Sequence, residues 1–388
     1  MMRDDLHRLA GLRVAHLIEC DGPGGAERII AHLARALQAA GAHNVVFLPR
    51  AGEGWLAREL TGSGVAIEHF HIDRPLSPAC ARALTDALRR HRIDVVHSHE
   101  FSMAVYGAWA CWRAAVPHVI TMHGGRYYAG RLRRRIALRT AIAASHHIVA
   151  VSDALADAIS SDLWMSRSRI KVLPNGVRYA PPELVTLRDE LGLSHGDRLL
   201  LAVGNLYPVK GHRYLIDAAV QLLKKHPSLH VAIAGRGDCA DALRLQARNE
   251  GIDGRVHLLG LRPDVAAILA AADIFVQPSL SEGLPLALLE AMWAGRPIVA
   301  SHVGQIPQAL ADGDAGILVE PGDGVALAHA IDRLLSDPSG AAEFGARAAQ
   351  RARDRYGLSQ MVGRYAQLYE QAKSKTCHVV DRLVMRQV

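Results

Sequence analysis

Long apolar runs are missing from this sequence. Its hydrophobic stretches are the length of strands or helices and are broken by polar residues, short of the roughly 20 residues needed to cross a bilayer. Cysteine is scarce too: Cys20, Cys80, Cys111, Cys239 and Cys377 are scattered over 388 residues with no C-x-x-C spacing. That argues against a disulfide framework or a zinc ribbon and fits a reducing cytoplasm. The opening MMRDDLHRLAG carries acidic residues and no apolar h-region, so no cleavable leader is expected there. No segment is of low complexity and no short repeat recurs. Helix-turn-helix, zinc-finger and RNP patterns are absent as well, so the net charge of +7 does not point to nucleic acid.

What is present is the composition of a globular enzyme, 50% apolar and 21% charged. One core rarely grows to this length, so two domains are expected. Short β-rich runs alternate with helical patterns. LRVAHLIEC (12–20), NVVFL (44–48), VAIEHF (65–70), IDVVHSH (93–99), HVITMH (118–123) and HHIVAVS (146–152) read as strands, with helices such as 26–39, 78–90 and 131–144 between them. The segment LPNGVRYAPPE (173–183) breaks the series with Asn-Gly and Pro-Pro. The alternation restarts with RLLLAVGN (198–205), LHVAIAG (229–235), RVHLLG (255–260), ADIFVQPS (272–279), RPIVAS (296–301) and AGILVE (315–320).

Regular alternation means βαβ units and parallel sheets, buried on both faces. The expected fold class is therefore α/β, with two Rossmann-like doubly wound domains facing a central cleft. The expected divisions are 1–178, 179–357, and a C-terminal helix and tail over 358–388 that packs back towards the first domain.

Charge is unevenly spread. Arg131, Arg133, Arg134, Arg135 and Arg139 crowd one helical segment just after Tyr127 and Tyr128. They read either as a solvated helix face or as a contact for an anionic membrane surface or an anionic acceptor.

Ligands of open α/β sheets bind at the loops after strand ends, and anions favour helix N-termini. Gly22, Pro23, Gly24 and Gly25 form such a loop after the first strand, although a tight strand-to-helix turn wants glycine regardless. SLSEGLPLALLE (279–290) forms another. Pro285 suits the first helical turn. Glu282 reads as an acidic residue near a helix start or as a ligand contact. Glu290 stands within an otherwise apolar helix, where a carboxylate needs a partner, and a ribose diol would supply one. Lys210 precedes a helix, a poor place for a cation unless an anion lies beside it. His97, His99 and His123 fall near strand ends, where a packed histidine is the ordinary reading. Asp273 belongs to a strand start. No DxD pair and no His/Asp cluster at ligand spacing stands out, so neither metal nor cofactor is expected.

SEGLPLALLEAMWAGRPIVAS resembles the signature of the family-4 retaining glycosyltransferases, which have the GT-B fold. Its core is Glu282 and Glu290 with seven residues between them. GGAER (24–28), DVVHSH (94–99), TMHG (121–124), VSDALADAI (151–159), LPNGV (173–177), VGNLYPVKG (203–211), AGRGD (234–238) and VHLLG (256–260) extend the likeness over essentially the whole chain. The resemblance implies a nucleoside-diphosphate sugar as donor and a glycan or lipid-linked saccharide as acceptor. It places Glu290 on the nucleotide ribose, Lys210 on the diphosphate and Glu282 by the reacting centre. The N–H groups of Gly283 and Leu284 would meet sugar or phosphate, His123 the donor sugar, Gly24 and Gly25 the sugar-phosphate. The loop with Leu258 would cradle the base. One departure concerns Asn205, where the family usually has arginine; Arg236 is a candidate substitute for the missing charge.

The implied chemistry is metal-independent transfer with retention, by front-face displacement; a double displacement through Glu282 is the alternative. Three other classes compete. A dinucleotide oxidoreductase would want G-x-G-x-x-G, which GPGGAE does not supply. A sugar-nucleotide epimerase on the same fold and a silent nucleotide-sugar binding subunit remain as alternatives.

Overall fold

The computed structural model describes residues 9–49, 54–72, 77–124 and 126–384, with side chains to Ser374. The leader reading falls largely on residues 1–8, and the last cysteine lies beyond the described side chains. The chain forms two compact units, one of residues 1–176 together with 358–388, the other of residues 177–357.

The first unit is built on a parallel sheet. Its strands are β1 (Arg13–Leu17), β2 (His43–Pro49), β3 (Ala66–Phe70), β4 (Val95–His99), β5 (His118–Met122), β6 (His147–Ala150) and β7 (Ile170–Val172). They lie in the order β3-β2-β1-β4-β5-β6-β7. The second unit has β8 (Arg198–Val203), β9 (Leu229–Ala234), β10 (Val256–Gly260), β11 (Ile274–Gln277), β12 (Ile298–Ser301) and β13 (Ile317–Val319), in the order β10-β9-β8-β11-β12-β13. Every pairing is parallel. Both units are thus doubly wound, as the alternation predicts. Strand β7 is the addition; three residues, Ile170 to Val172, are too few to show a pattern.

Helices cover both faces of each sheet, so the central strands carry no solvent-facing side. On one face of the first sheet, Leu17, Phe47 and Val96 pack with Leu84, Leu88 and Met103 from the covering helices. On the other, Val46 and Leu48 meet Ile30 and Ala34. Local signals fix the helix starts. Pro78 opens the helix Pro78–Arg90, and the Ser77 hydroxyl accepts the Cys80 N–H at 3.3 Å. Ser152 caps the helix Asp153–Asp162 in the same way, accepting from Leu155.

The strand order reverses between β1 and β4 in the first sheet and between β8 and β11 in the second. In such sheets the neighbouring crossovers leave on opposite faces at that point, and their loops part to open a crevice at the strand carboxyl ends. The long helix Leu358–Val384 belongs to the first unit, where Tyr365 and Tyr369 are buried against β4 and β5. Among the described residues, no helix is long and apolar enough to cross a membrane.

Candidate active site

In the second unit the sheet's switch point brings two sequence-distant residues together. Lys210 follows β8 and Glu282 follows β11, and their strands are neighbours. The Lys210 ammonium donates to both carboxylate oxygens of Glu282, at 2.7 and 2.9 Å. Ser279 Oγ and Gln277 Nε2 donate to the same carboxylate at 2.8 and 3.1 Å. The Glu282 side chain is only 7% exposed, against 24% for Lys210. A carboxylate with a cation and two neutral donors is a satisfied buried charge. Its position, four residues ahead of the helix Leu286–Trp293, comes from this network rather than from the helix dipole.

Two glycines shape the loops around the pair. Gly211, at φ +67°, lies so close to Pro278 that a Cβ would fall 1.9 Å from its carbonyl oxygen. Gly304, at φ +56°, approaches the Glu282 carbonyl, 2.1 Å from a hypothetical Cβ. The next residue, Gln305, donates its N–H to the Gly283 oxygen at 2.9 Å. The backbone from Glu282 to Gly283 is thereby held from the β12 side. Pro285 is the N-cap of its helix, with ψ 131°, so the first turn starts one residue later than expected. Leu284 is buried and Gly283 half-buried. Glu290 is half-buried on the same helix, between buried Leu289 and Ala291.

The loops after β8, β9 and β10 adjoin. Leu206 N–H donates to the Arg236 oxygen at 2.9 Å, and Gly235 N–H to the Gly260 oxygen at 2.8 Å. Arg236, exposed, is therefore on the loop beside half-buried Asn205. Leu258 lies half-buried on β10, an edge strand. Asp273 stays with the sheet: its carboxylate accepts from the Leu199 N–H and from Arg188 and Arg198.

In the first unit, Gly24 is the N-cap and Gly25 the first residue of the helix Gly25–Ala39. Glu27 in its first turn is buried, and burial pushes its carboxyl pKa up. His123, just past β5, receives or gives a hydrogen bond at 2.9 Å between its Nε2 and His99 Nδ1. Its backbone N–H donates to the Glu100 carboxylate at 2.9 Å. Desolvation holds the His123 imidazole neutral, its pKa pushed down to about 4.

His123 is one member of a larger group that sequence spacing did not reveal. Register sets His16 of β1 beside His97 of β4, and the two-residue strand period puts His99 on the same face. Ring nitrogens of His16, His97 and His99 lie within 4.8 Å of one another. All three are fully buried. His97 spends both nitrogens on Tyr369 and Thr121 hydroxyls, at 2.8 and 2.7 Å. His16 Nε2 meets Asn44 Oδ1 at 3.3 Å. His16 Nδ1 and His99 Nε2 have no hydrogen-bond partner among the described residues. The group could offer imidazoles to an ion.

The arginine segment lies on the helix Leu132–Ala143 and just before it, in the first unit. Arg131, Arg133 and Arg139 are exposed, Arg134 and Arg135 half-buried.

The two halves of the chain match two family models, "Glycosyltransferase Family 4" over residues 23–180 and "Glycosyl transferases group 1" over residues 186–354. A D-inositol 3-phosphate glycosyltransferase of Nocardia farcinica is 30% identical over 327 residues, 78% of this chain and 72% of that one. An Escherichia coli UDP-Gal:alpha-D-GlcNAc-diphosphoundecaprenol alpha-1,3-galactosyltransferase is 28% identical, covering 66% of this chain and 70% of its own length. The fold matches that of Anabaena HepE, solved in complex with UDP-glucose, with a TM-score of 0.80 and 24% identity over 94% of this chain and all of that one. The protein is a glycosyltransferase of the GT-B fold. It belongs to the group 1 and family 4 glycosyltransferases.

Proposed function

We propose that the protein moves a sugar from a UDP- or GDP-linked donor to a saccharide or lipid-linked saccharide, as a hexosyltransferase of envelope or exopolysaccharide synthesis. The observation that carries the reading is the Lys210–Glu282 pair at the switch point of the second sheet. It sets a cation for a diphosphate beside a carboxylate for a sugar, where α/β sheets take their ligands. Relatives are named for UDP-galactose and for complexes with UDP-glucose, which supports this donor class.

In this reading Glu290 takes the ribose hydroxyls and the Leu258 loop the base. Lys210 takes the diphosphate, helped by Arg236 beside Asn205. The N–H groups of Gly283 and Leu284 meet sugar or phosphate. Gly24 and Gly25 contact the sugar-phosphate and His123 the donor sugar. Neutral His123 donates or accepts a hydrogen bond at a sugar hydroxyl without adding charge. Transfer proceeds with retention. The acceptor oxygen bonds to the anomeric carbon as the bond to the diphosphate breaks, and the acceptor proton passes to a donor phosphate oxygen. Lys210 offsets the charge that develops on the leaving group, so no divalent ion is needed.

The test is a panel of nucleotide sugars screened by thermal shift, followed by incubation with the stabilising donor and NMR of the product anomer. Glu290→Ala should weaken nucleotide binding at least tenfold, and Glu282→Ala should chiefly slow transfer. Unchanged affinity and rate in both variants would reject the assignment. Epimerised nucleotide sugar as the product, or binding without turnover, would reject transfer itself. Loss of transfer in EDTA, restored by a divalent ion, would reject metal independence.

A further inference from the structure

The helix Leu132–Ala143 has a core face, where Leu138, Ala141 and Ile142 are buried. Its opposite face is also apolar. Leu132 is 61% exposed and Ile136 53%. At about 100° per residue these two point within about 40° of each other, and Ala143 falls between them. A helix whose core face is already buried gains nothing in the folded unit from a second apolar stripe.

Arginines border that stripe on both sides, Arg133 on one flank and Arg135 and Arg139 on the other. Two exposed aromatic rings lie next to them. Arg134 stacks on Tyr127, 3.7 Å from the ring centroid, and also bonds its hydroxyl. Arg135 lies 5.5 Å over the ring of Trp164, and Arg139 donates to the Leu163 and Trp164 carbonyls. Tyr127 and Trp164 are 62% and 55% exposed. Among the described residues, no carboxylate pairs with Arg131, Arg133, Arg134, Arg135 or Arg139. Asp162, next in sequence to Leu163, is paired with Arg126.

We propose that this face is a docking surface for an anionic lipid bilayer: Leu132, Ile136, Tyr127 and Trp164 enter the interface and the five arginines meet the headgroups. Charge complementarity selects an anionic partner. The apolar stripe selects a bilayer over a soluble polyanion, since only the bilayer has an apolar layer to receive leucine and isoleucine. Aromatic rings beside guanidinium groups suit the headgroup level, apolar in body and polar at the tip. Each arginine at an anionic surface is worth roughly fivefold in partitioning, about 1 kcal/mol.

The full-length protein should float with vesicles of phosphatidylcholine containing phosphatidylglycerol and stay behind with phosphatidylcholine alone. Replacing Arg131, Arg133, Arg134 and Arg135 by glutamine should weaken binding more than tenfold. Leu132→Ser with Ile136→Ser leaves the charge intact and should remove the part of the binding that survives 0.5 M salt. All of these side chains are at least partly exposed, so both variants should melt like the wild type. Equal binding by wild type and both variants would overturn the proposal, as would equal binding to neutral and anionic vesicles. Binding to heparin without binding to vesicles would assign the face to a soluble polyanion instead.

Discussion

Lys210 and Glu282 illustrate what one residue can and cannot disclose. Each stands out in the sequence, the lysine for its awkward place before a helix and the glutamate for its motif. Their bond was not legible, because 71 residues separate them and only the pairing of β8 with β11 makes them neighbours. The ion pair also alters what mutation should do. Lys210→Ala leaves a carboxylate that is 7% exposed with only Ser279 and Gln277 as donors. We expect a loss of about 1–3 kcal/mol in urea denaturation together with loss of transfer. Glu282→Gln keeps a side chain of the same shape and frees the lysine. Its diphosphate affinity should hold or rise while transfer slows, measured by calorimetry with nucleoside diphosphate. A matching fall in affinity would show that the carboxylate does not compete for Lys210.

At the scale of elements, alternation and apolar runs locate twelve of the thirteen strands among the described residues, because parallel strands buried on both faces leave a continuous hydrophobic trace. Strand ends are less legible by a few residues: of ADIFVQPS only Ile274–Gln277 is strand, and the next residue, Pro278, has no N–H to give the ladder. The histidine group was illegible for a different reason. His16 and His97 stand 81 residues apart, and no local period links strands that meet through a crossover. Gly304 belongs to this scale as well, since it joins the loop after β12 to the backbone after β11. Gly304→Ala would combine a left-handed φ of +56° with a Cβ 2.1 Å from the Glu282 oxygen. The backbone must shift, so we expect about 1–2 kcal/mol of lost stability and a larger proportional loss of transfer rate than of melting temperature.

For the whole molecule, the buried imidazoles set an acid limit. Burial pushes His16 down to about 4 and His118 to about 3, with His97 and His99 well below their ordinary value. Unfolded, each would titrate near 6.5. Below that pH the unfolded chain binds protons that the folded chain refuses. Stability is therefore full above about pH 7 and falls as pH drops through 6.5 towards 4, with a slope of up to about 1.4 kcal/mol per unit for each histidine. Melting temperature measured from pH 8 to pH 4.5 should decline across that window. His118→Asn should flatten the decline, and an identical profile would remove this histidine from the account.

The second unit opens and closes at one spot. Val177 donates its N–H to the Tyr356 oxygen at 2.9 Å, and Val177 bridges Gly357 in parallel. Entry and exit of this 181-residue stretch are thus side by side, and the first unit is completed only when the chain resumes at Leu358. Residues 177–357 therefore form an insertion within a discontinuous host. Such a cassette can be exchanged between relatives at two adjacent seams without re-threading the host.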